Sequence, residues 1–337
     1  MSDLPVIFTT LGDAGGIGPE LVARSLANPA LTEGVVRLIV GPRALFEAGC
    51  AVAGAVPDIP VSDSVEDAID AGAPVAFVDY NPTGFEGVPL GAASREAGAL
   101  DLALGRHAAD LYRAGIIDGF VFAPVNKLSL KKGGSDFEGY KAYIADYLGE
   151  TATAAEINTI GSLWTTRVSS HVSIAEVPAL VTRENVLQII RYFDRELRRF
   201  GYEKPRIAVS GLNPHNGDGG MFGREEIDAI GPAVEEARAE RIDASGPYPP
   251  DTIFLTVRDE GYLGVVSMYH DQCQIATKLL GFDEGVTYFG GLPFPITTPA
   301  HGTAYDIAGR GKASPTPINN ALKLMRRAAR TAKGLPV

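Results

Sequence analysis

Short apolar runs alternate with amphipathic stretches along most of this chain. Val6–Thr10, Val35–Val40, Val75–Tyr80 and Gly119–Val125 each read as a brief buried strand. LVARSLA after the Gly12–Glu20 turn, and the long stretch Ala92–Ala114, place apolar positions at helical spacing. Further along, Asp136–Leu148, Thr182–Phe200, Glu225–Arg241 and Asn319–Lys333 predict helices. Ser162–Val168, Val172–Val177, Arg206–Pro214, Thr252–Val257 and Gly264–Gln272 predict strands or strands running into loops. Strands and helices taken in turn argue for an α/β layered fold. No linker cleanly splits the chain, so two domains that exchange segments are expected, residues 1–130 plus 290–337 and residues 131–289.

Composition narrows the picture. The chain has 337 residues, with 30 Lys+Arg against 41 Asp+Glu, a formal charge of −11. That surface repels phosphate backbones and anionic membranes, yet leaves room for a small anion in a local basic pocket. Nucleic acid and membrane are therefore not expected partners. Two cysteines, Cys50 and Cys273, make no disulfide framework. Neither a secretory leader nor an apolar run of membrane-spanning length stands out, so a cytoplasmic location is expected.

Five histidines are present, and three share a setting. His171 follows Ser169-Ser170 by a strand, His215 lies in the loop NPHNGDGG, and His270 in YHDQ closes a predicted strand. Strand ends are where α/β folds place functional groups. Three imidazoles converging there would make an open metal site; each alone reads more readily as a solvated or hydrogen-bonded residue. Asp271, next to His270, is placed to orient a ligand. Asp251, after GPYPP, is either a turn residue or a site carboxylate. Lys127 in VNK follows a strand and is a candidate proton mover or anion binder, or a plain surface lysine. Lys278 is a second candidate anion binder.

Two glycine-rich stretches remain. GDAGGIGPE lacks the register of a dinucleotide fingerprint, and a tight strand-to-helix turn with Pro19 at the first helical position explains it more simply. HGTAYDIAGRGKASP, from His301 to Pro315, offers backbone donors and an Asp306 carboxylate that suit an adenosine, with a purely structural loop as the other reading.

GDAGGIGPE, APVNK, SSHVSI, LNPHNGDGGMFGREE, GPYPPDTIF, YHDQ, TKLLGF and HGTAYDIAGRG, in this order, resemble the PdxA family of 4-hydroxythreonine-4-phosphate dehydrogenase-like proteins. The resemblance runs from about Leu4 to Leu324. The last motif is also similar to the adenosine loop of isocitrate and isopropylmalate dehydrogenases. The family implies a two-domain α/β/α isocitrate/isopropylmalate dehydrogenase-like fold. It implies a homodimer with shared active sites in the cleft between domains. It implies a divalent metal, zinc first with Mg, Mn, Co or Ni as alternatives, on three histidines drawn from both subunits, which match His171, His215 and His270. Asp251 and Asp271 match its site-organising aspartates, and either Asp251 or Lys127 would be the base. NAD or NADP is implied at Gly291, Thr297, His301, Gly302, Asp306 and Gly309. The implied reaction is oxidation of a secondary hydroxyl followed by decarboxylation.

On the substrate side the chain departs from its biosynthetic relatives. Gly139-Tyr140-Lys141-Ala142 stands where they carry Gly-His-Thr-Glu. Thr287 stands near their Asn, Ile296 near their Arg, and Cys273 replaces a glycine after HDQ. Lys278 matches a lysine near the substrate phosphate. A Gly-Tyr pair also resembles the branch acting on terephthalate cis-dihydrodiol. The expected activity is therefore an NAD(P)-dependent dehydrogenase acting on CH-OH groups, with a non-standard hydroxy acid or cis-diol acid contacting Tyr140, Lys141, Lys278, Thr287 and Ile296. Two alternatives are the 4-hydroxythreonine-4-phosphate dehydrogenase of pyridoxal phosphate (vitamin B6) biosynthesis, and a catalytically inactive binding protein of the same fold.

Overall fold

A computed structural model of the chain describes residues 4–150 and 155–336, without the side chain of Phe282. Two compact units emerge, Met1–Ala152 with Leu292–Val337, and Thr153–Gly291. The first boundary falls later than position 130 because the helix at Tyr140–Leu148 packs on residues of the first unit.

The first unit begins with β1 (Val6–Thr10), α1 (Gly18–Ser25), β2 (Val36–Gly41), α2 (Arg43–Ala53), β3 (Val61–Ser62), α3 (Val65–Asp70) and β4 (Val75–Asp79). α4 (Arg95–Arg113), β5 (Gly119–Phe122), α5 (Lys127–Lys132) and α6 (Tyr140–Leu148) follow. β1 and β2 are buried at every position, as expected of parallel strands covered on both faces. Ser94 caps α4 by accepting from Ala97 N, and Asn126 caps α5 by accepting from Leu128 N and Ser129 N. His107, half-buried on α4, stacks on Tyr80 at 4.3 Å and is spent on packing.

The second unit holds β6 (Ile157–Ile160), β7 (Leu163–Arg167), α7 (Val177–Leu180), α8 (Arg183–Arg199), β8 (Ile207–Ser210), α9 (Gly231–Ala239), β9 (Ala244–Tyr248), α10 (Ile253–Glu260), β10 (Gly264–Ser267), α11 (His270–Gly281) and β11 (Val286–Tyr288). Its strands run β11-β6-β7-β10-β8-β9. β6 is antiparallel to both its neighbours, and the remaining pairs are parallel. The chain then returns to the first unit with β12 (Ile296–Pro299) and α12 (Thr316–Ala332). That unit's parallel strands run β3-β4-β2-β1-β5-β12. No described helix is long and apolar enough to cross a membrane.

Three expected strands are different. Thr252–Val257 lies mostly in α10, where Ile253 and Val257 share the buried face one turn apart and Gly261 ends the helix in a left-handed conformation. Val172–Val177 is a short helical turn opened by a capping box between Ser173 and Glu176, with Pro178 at the head of α7. Gly264–Gln272 is β10 followed by the start of α11 at His270. In the first two cases a start or stop signal outweighs the apolar run.

Candidate active site

β7 and β10 pair in parallel, and their backbones stay together past the strand ends. Val168 N donates to Ser267 O at 2.9 Å, and Ser169 N to Met268 O at 3.0 Å. This carries His171 and His270 out side by side, ring centres 6.1 Å apart at 39°. Two imidazoles on one ion at about 2.0–2.1 Å per bond would have centres roughly 5 Å apart, so the pair fits two ligands of one site. Asp271 Oδ1 lies 2.6 Å from His270 Nδ1, which leaves the other ring nitrogen of His270 to meet a ligand.

His215 is held elsewhere. It opens a run of left-handed residues, His215, Asn216, Gly217, Asp218 and Gly219, with φ of 52°, 57°, 74°, 44° and 66°. Three non-glycine residues in that region cost conformational energy and persist only where neighbours hold them. Glu226 does so: buried, it accepts from Leu212 N at 2.8 Å, Asn213 N at 2.7 Å and Asn213 Nδ2 at 3.0 Å. A Cβ on Gly217 would meet Gly223 O at 2.6 Å and Glu226 Oε2 at 2.9 Å, so glycine is required there. Asn216 Nδ2 ties the turn to Pro247 O at 2.7 Å. Among the described residues no three His, Cys, Asp or Glu side chains gather around one metal position. One chain therefore brings His171 and His270 together and leaves His215, exposed, apart.

Under the two histidines lies a polar network. Arg167, 1% exposed, donates to Ser170 Oγ at 2.7 Å, Asn158 Oδ1 at 2.9 Å and Glu156 Oε2 at 2.8 Å. Asn158 also donates to Thr287 Oγ1 at 3.1 Å and accepts from Gln274 on α11 at 2.7 Å. Ser170, beside His171, and, through Asn158, Gln274, one turn after His270, are thus tied to one guanidinium. Arg167 escaped the sequence reading because WTTR reads as a strand end; a charged residue closing an apolar strand was the available signal.

In the first unit, Lys127 is exposed at the head of α5, its Cε 3.8 Å from where a Cβ on Gly139 would lie. Lys141 stands one residue into α6, so both lysines flank the same turn. The GDAGGIGPE stretch wraps against the 301–315 loop. Ile17 N donates to Thr303 O at 3.0 Å, and a Cβ on Gly16 would meet Thr303 Cβ at 2.9 Å. Arg24 Nη2 donates to Gly311 O at 2.7 Å, and Ala313 N to Glu20 Oε1 at 3.1 Å. The early glycines serve close packing. In the later loop His301 Nδ1 lies 2.9 Å from Gly302 O, while Gly302, Asp306 and Gly309 are exposed.

Three expected site residues have other work. Tyr140 is 4% exposed, donates its hydroxyl to Asp101 O at 2.6 Å, and meets Phe122 edge-on at 4.9 Å. Burial, then Asp101 and Tyr143, push its pKa well above the usual phenol range. It is a core residue with a satisfied hydroxyl, and it presents nothing to a substrate. Ile296 is fully buried in β12, paired with Phe120. Thr297 is fully buried and donates to Ala321 O on α12 at 3.0 Å, which removes its hydroxyl from the cofactor set. Asp251 and Lys278 are exposed, and Gly291 is partly exposed with φ +78°.

Comparison with known proteins extends this. The family model described as pyridoxal phosphate biosynthetic protein PdxA matches residues 35–325. A Pseudomonas aeruginosa protein provisionally named 4-hydroxythreonine-4-phosphate dehydrogenase 2 is 44% identical over 97% of this chain and 98% of its own. The D-threonate 4-phosphate dehydrogenase of Pectobacterium atrosepticum is 36% identical over 95% and 98%. The crystal structure of 4-hydroxythreonine-4-phosphate dehydrogenase from Klebsiella pneumoniae has a TM-score of 0.83 and 34% identity, covering 97% and 98%. That of a terephthalate 1,2-cis-dihydrodiol dehydrogenase from Burkholderia xenovorans has a TM-score of 0.68 and 25% identity, covering 96% and 98%. An α/β fold shared with these structures, and sequence identity that extends across nearly all of both chains, place this protein in the PdxA family.

Proposed function

We propose that this chain is a metal- and NAD(P)-dependent dehydrogenase that oxidises a secondary alcohol of a small hydroxy acid bearing a second anionic group, with decarboxylation of the β-keto acid formed. The observation that carries the reading is the pairing of His171 and His270, 6.1 Å apart, with Asp271 set against His270 Nδ1. His171 and His270 would hold a divalent cation, zinc first and Mg, Mn, Co or Ni as alternatives, which would supply Lewis acidity to the oxygen of the reacting alcohol. Asp271 holds the ring of His270 in one tautomer and orientation. Lys127 or Asp251 takes the hydroxyl proton. Lys141, Lys278 and Thr287 hold the second anionic group. Gly302, next to His301, and Gly309 present backbone donors to the dinucleotide, Asp306 accepts from ribose hydroxyls, and Gly291 belongs to the same cofactor set.

A homodimer belongs to this reading, since the third ligand would be His215 of the partner subunit. What supports it is α11, which begins at His270 and carries Ile275, Leu279 and Leu280 at 61%, 84% and 61% exposure. Leu279 and Leu280, with Leu255, 51% exposed, border an apolar groove of about 600 Å³. Apolar surface of that kind marks an association face.

The second anionic group has two readings. A phosphate is favoured by the relatives named for phosphorylated acids, at 36% identity and above. A carboxylate on a cis-diol acid is favoured by the likeness to a terephthalate 1,2-cis-dihydrodiol dehydrogenase, 25% identical. The burial of Tyr140 removes the ring-stacking argument for the latter. The deciding experiment is dinucleotide reduction and carbon dioxide release with 4-phosphohydroxy-L-threonine, D-threonate 4-phosphate and the terephthalate dihydrodiol, each with NAD and NADP and with metal content measured. Turnover of a phosphorylated acid alone selects the phosphate. No turnover of any, in metal-loaded protein, would overturn the reading.

A further inference from the structure

The hydroxyl of Tyr305 joins segments far apart in sequence. It lies 3.0 Å from Asp13 Oδ2 and 3.3 Å from Ser129 Oγ. A carboxylate only accepts, so Tyr305 donates to Asp13 and Ser129 must donate to Tyr305. Ser129 Oγ in turn accepts from Ser94 N at 3.3 Å, and Asp13 Oδ1 accepts from Gly15 N at 2.9 Å. The bonds run in one direction from Ser94 through Ser129 and Tyr305 to a fully buried carboxylate. They tie the 301–311 loop to the Gly12–Glu20 turn and to the first turn of α5, two residues after Lys127. Burial pushes the Tyr305 phenol up to about 12, so it remains a donor across the neutral range. The preceding residue, Ala304, has φ +43°, a conformation that a non-glycine residue keeps only where its neighbours hold it.

The hydroxyl anchors no core. The Tyr305 ring is partly exposed, and the next residue, Asp306, is exposed. We propose that Tyr305 is a positioning residue for the dinucleotide: its bond to Asp13, supported by Ser129, sets the 301–309 loop in the conformation that presents Gly302, Asp306 and Gly309 to the cofactor. This rests on the assignment of that loop to NAD or NADP above.

The test is Tyr305→Phe, which removes one oxygen, with Ser129→Ala as a second variant that keeps the tyrosine. Dinucleotide Kd is measured by titration of metal-loaded protein with NAD and with NADP, alongside kcat and both KM values. Tyr305→Phe is expected to raise the dinucleotide Kd and KM roughly tenfold, which corresponds to about 1.4 kcal/mol. The KM for the hydroxy acid and kcat should stay within about twofold. Ser129→Ala should act in the same direction and less strongly. Wild-type binding with an unchanged Kd in Tyr305→Phe overturns this role alone. Failure of the wild-type protein to bind either dinucleotide overturns the loop assignment and this role with it.

Discussion

Asp101 is a buried acid in an unfavourable place, and replacing it should change how stability depends on pH. It lies on α4 at 1% exposure, and its Oδ2 has no hydrogen-bond partner. Burial, then the charge of the equally buried Asp13, lift its pKa well above the usual carboxylate range. In the unfolded chain it titrates near about 3.9. Below that value both states hold the proton and Asp101 costs nothing. Above it the unfolded state ionises while the folded state does not, so stability falls by about 1.4 kcal/mol per pH unit until the folded pKa is passed. Asp101→Asn removes this descent. Because burial and Asp13 hold the folded-state pKa well above the usual carboxylate range, the wild type should lose stability as the pH rises from 4, along that slope, while the variant keeps it. For a chain of this size each pH unit of that descent is about 2 °C in Tm. The amide carries an extra unpaired N–H, worth about 1–3 kcal/mol against the variant at every pH. The difference in slope is therefore the measurement, taken from thermal and urea unfolding at half-unit steps from pH 4 to pH 8. Parallel curves would show that Asp101 ionises in the folded protein as it does in the unfolded one, and the reasoning would be refuted.

Tyr140→Phe should cost about 1–2 kcal/mol in urea unfolding, because it strips a buried bond of 2.6 Å from Asp101 O, and should leave kcat/KM within about twofold. A tenfold loss of kcat/KM at unchanged stability would return Tyr140 to the substrate pocket. His171→Ala and His270→Ala should each weaken metal binding by more than about 100-fold, since even partners of metal ligands contribute 10–100-fold; elemental analysis after dialysis checks this, and full retention would remove the histidine pair from the site. Leu279→Asp with Leu280→Asp should shift sedimentation from dimer to monomer by placing charge on an exposed apolar face. A wild-type monomer at micromolar concentration would count against the homodimer.

Much of the architecture was legible because local rules dominate it. VIFTT followed by GDAGGIGPE and LVARSLA is β1, a tight turn and α1, with Pro19 in the first turn. The long Ala92–Ala114 stretch is α4, and Thr182–Phe200 is α8, each opened by a side-chain cap. The misread segments were short. In TIFLTV, apolar residues at neighbouring positions suit a strand and a helix alike, and the turn chemistry of Pro249, Pro250 and Gly261 decided between them. β6, β11 and β12, of three or four residues each, are too brief for a periodic signal.

Residue type and motif order determined the class of fold and the family, because each depends on nearby residues or on a pattern extending over the whole chain; the motifs named three candidate histidines, and the tertiary structure alone paired His171 with His270. Tertiary structure decided which polar side chains face a ligand. Tyr140, Ile296 and Thr297 occupy matching positions in sequence yet point into packed layers, where burial against Phe122, Phe120 and α12 removes them from solvent. Tyr305, unremarkable in sequence, acquires its partners only when segments more than a hundred residues apart are brought together. Hydrogen bonds act over about 3 Å, and no spacing along the chain reports which distant oxygen lies that close.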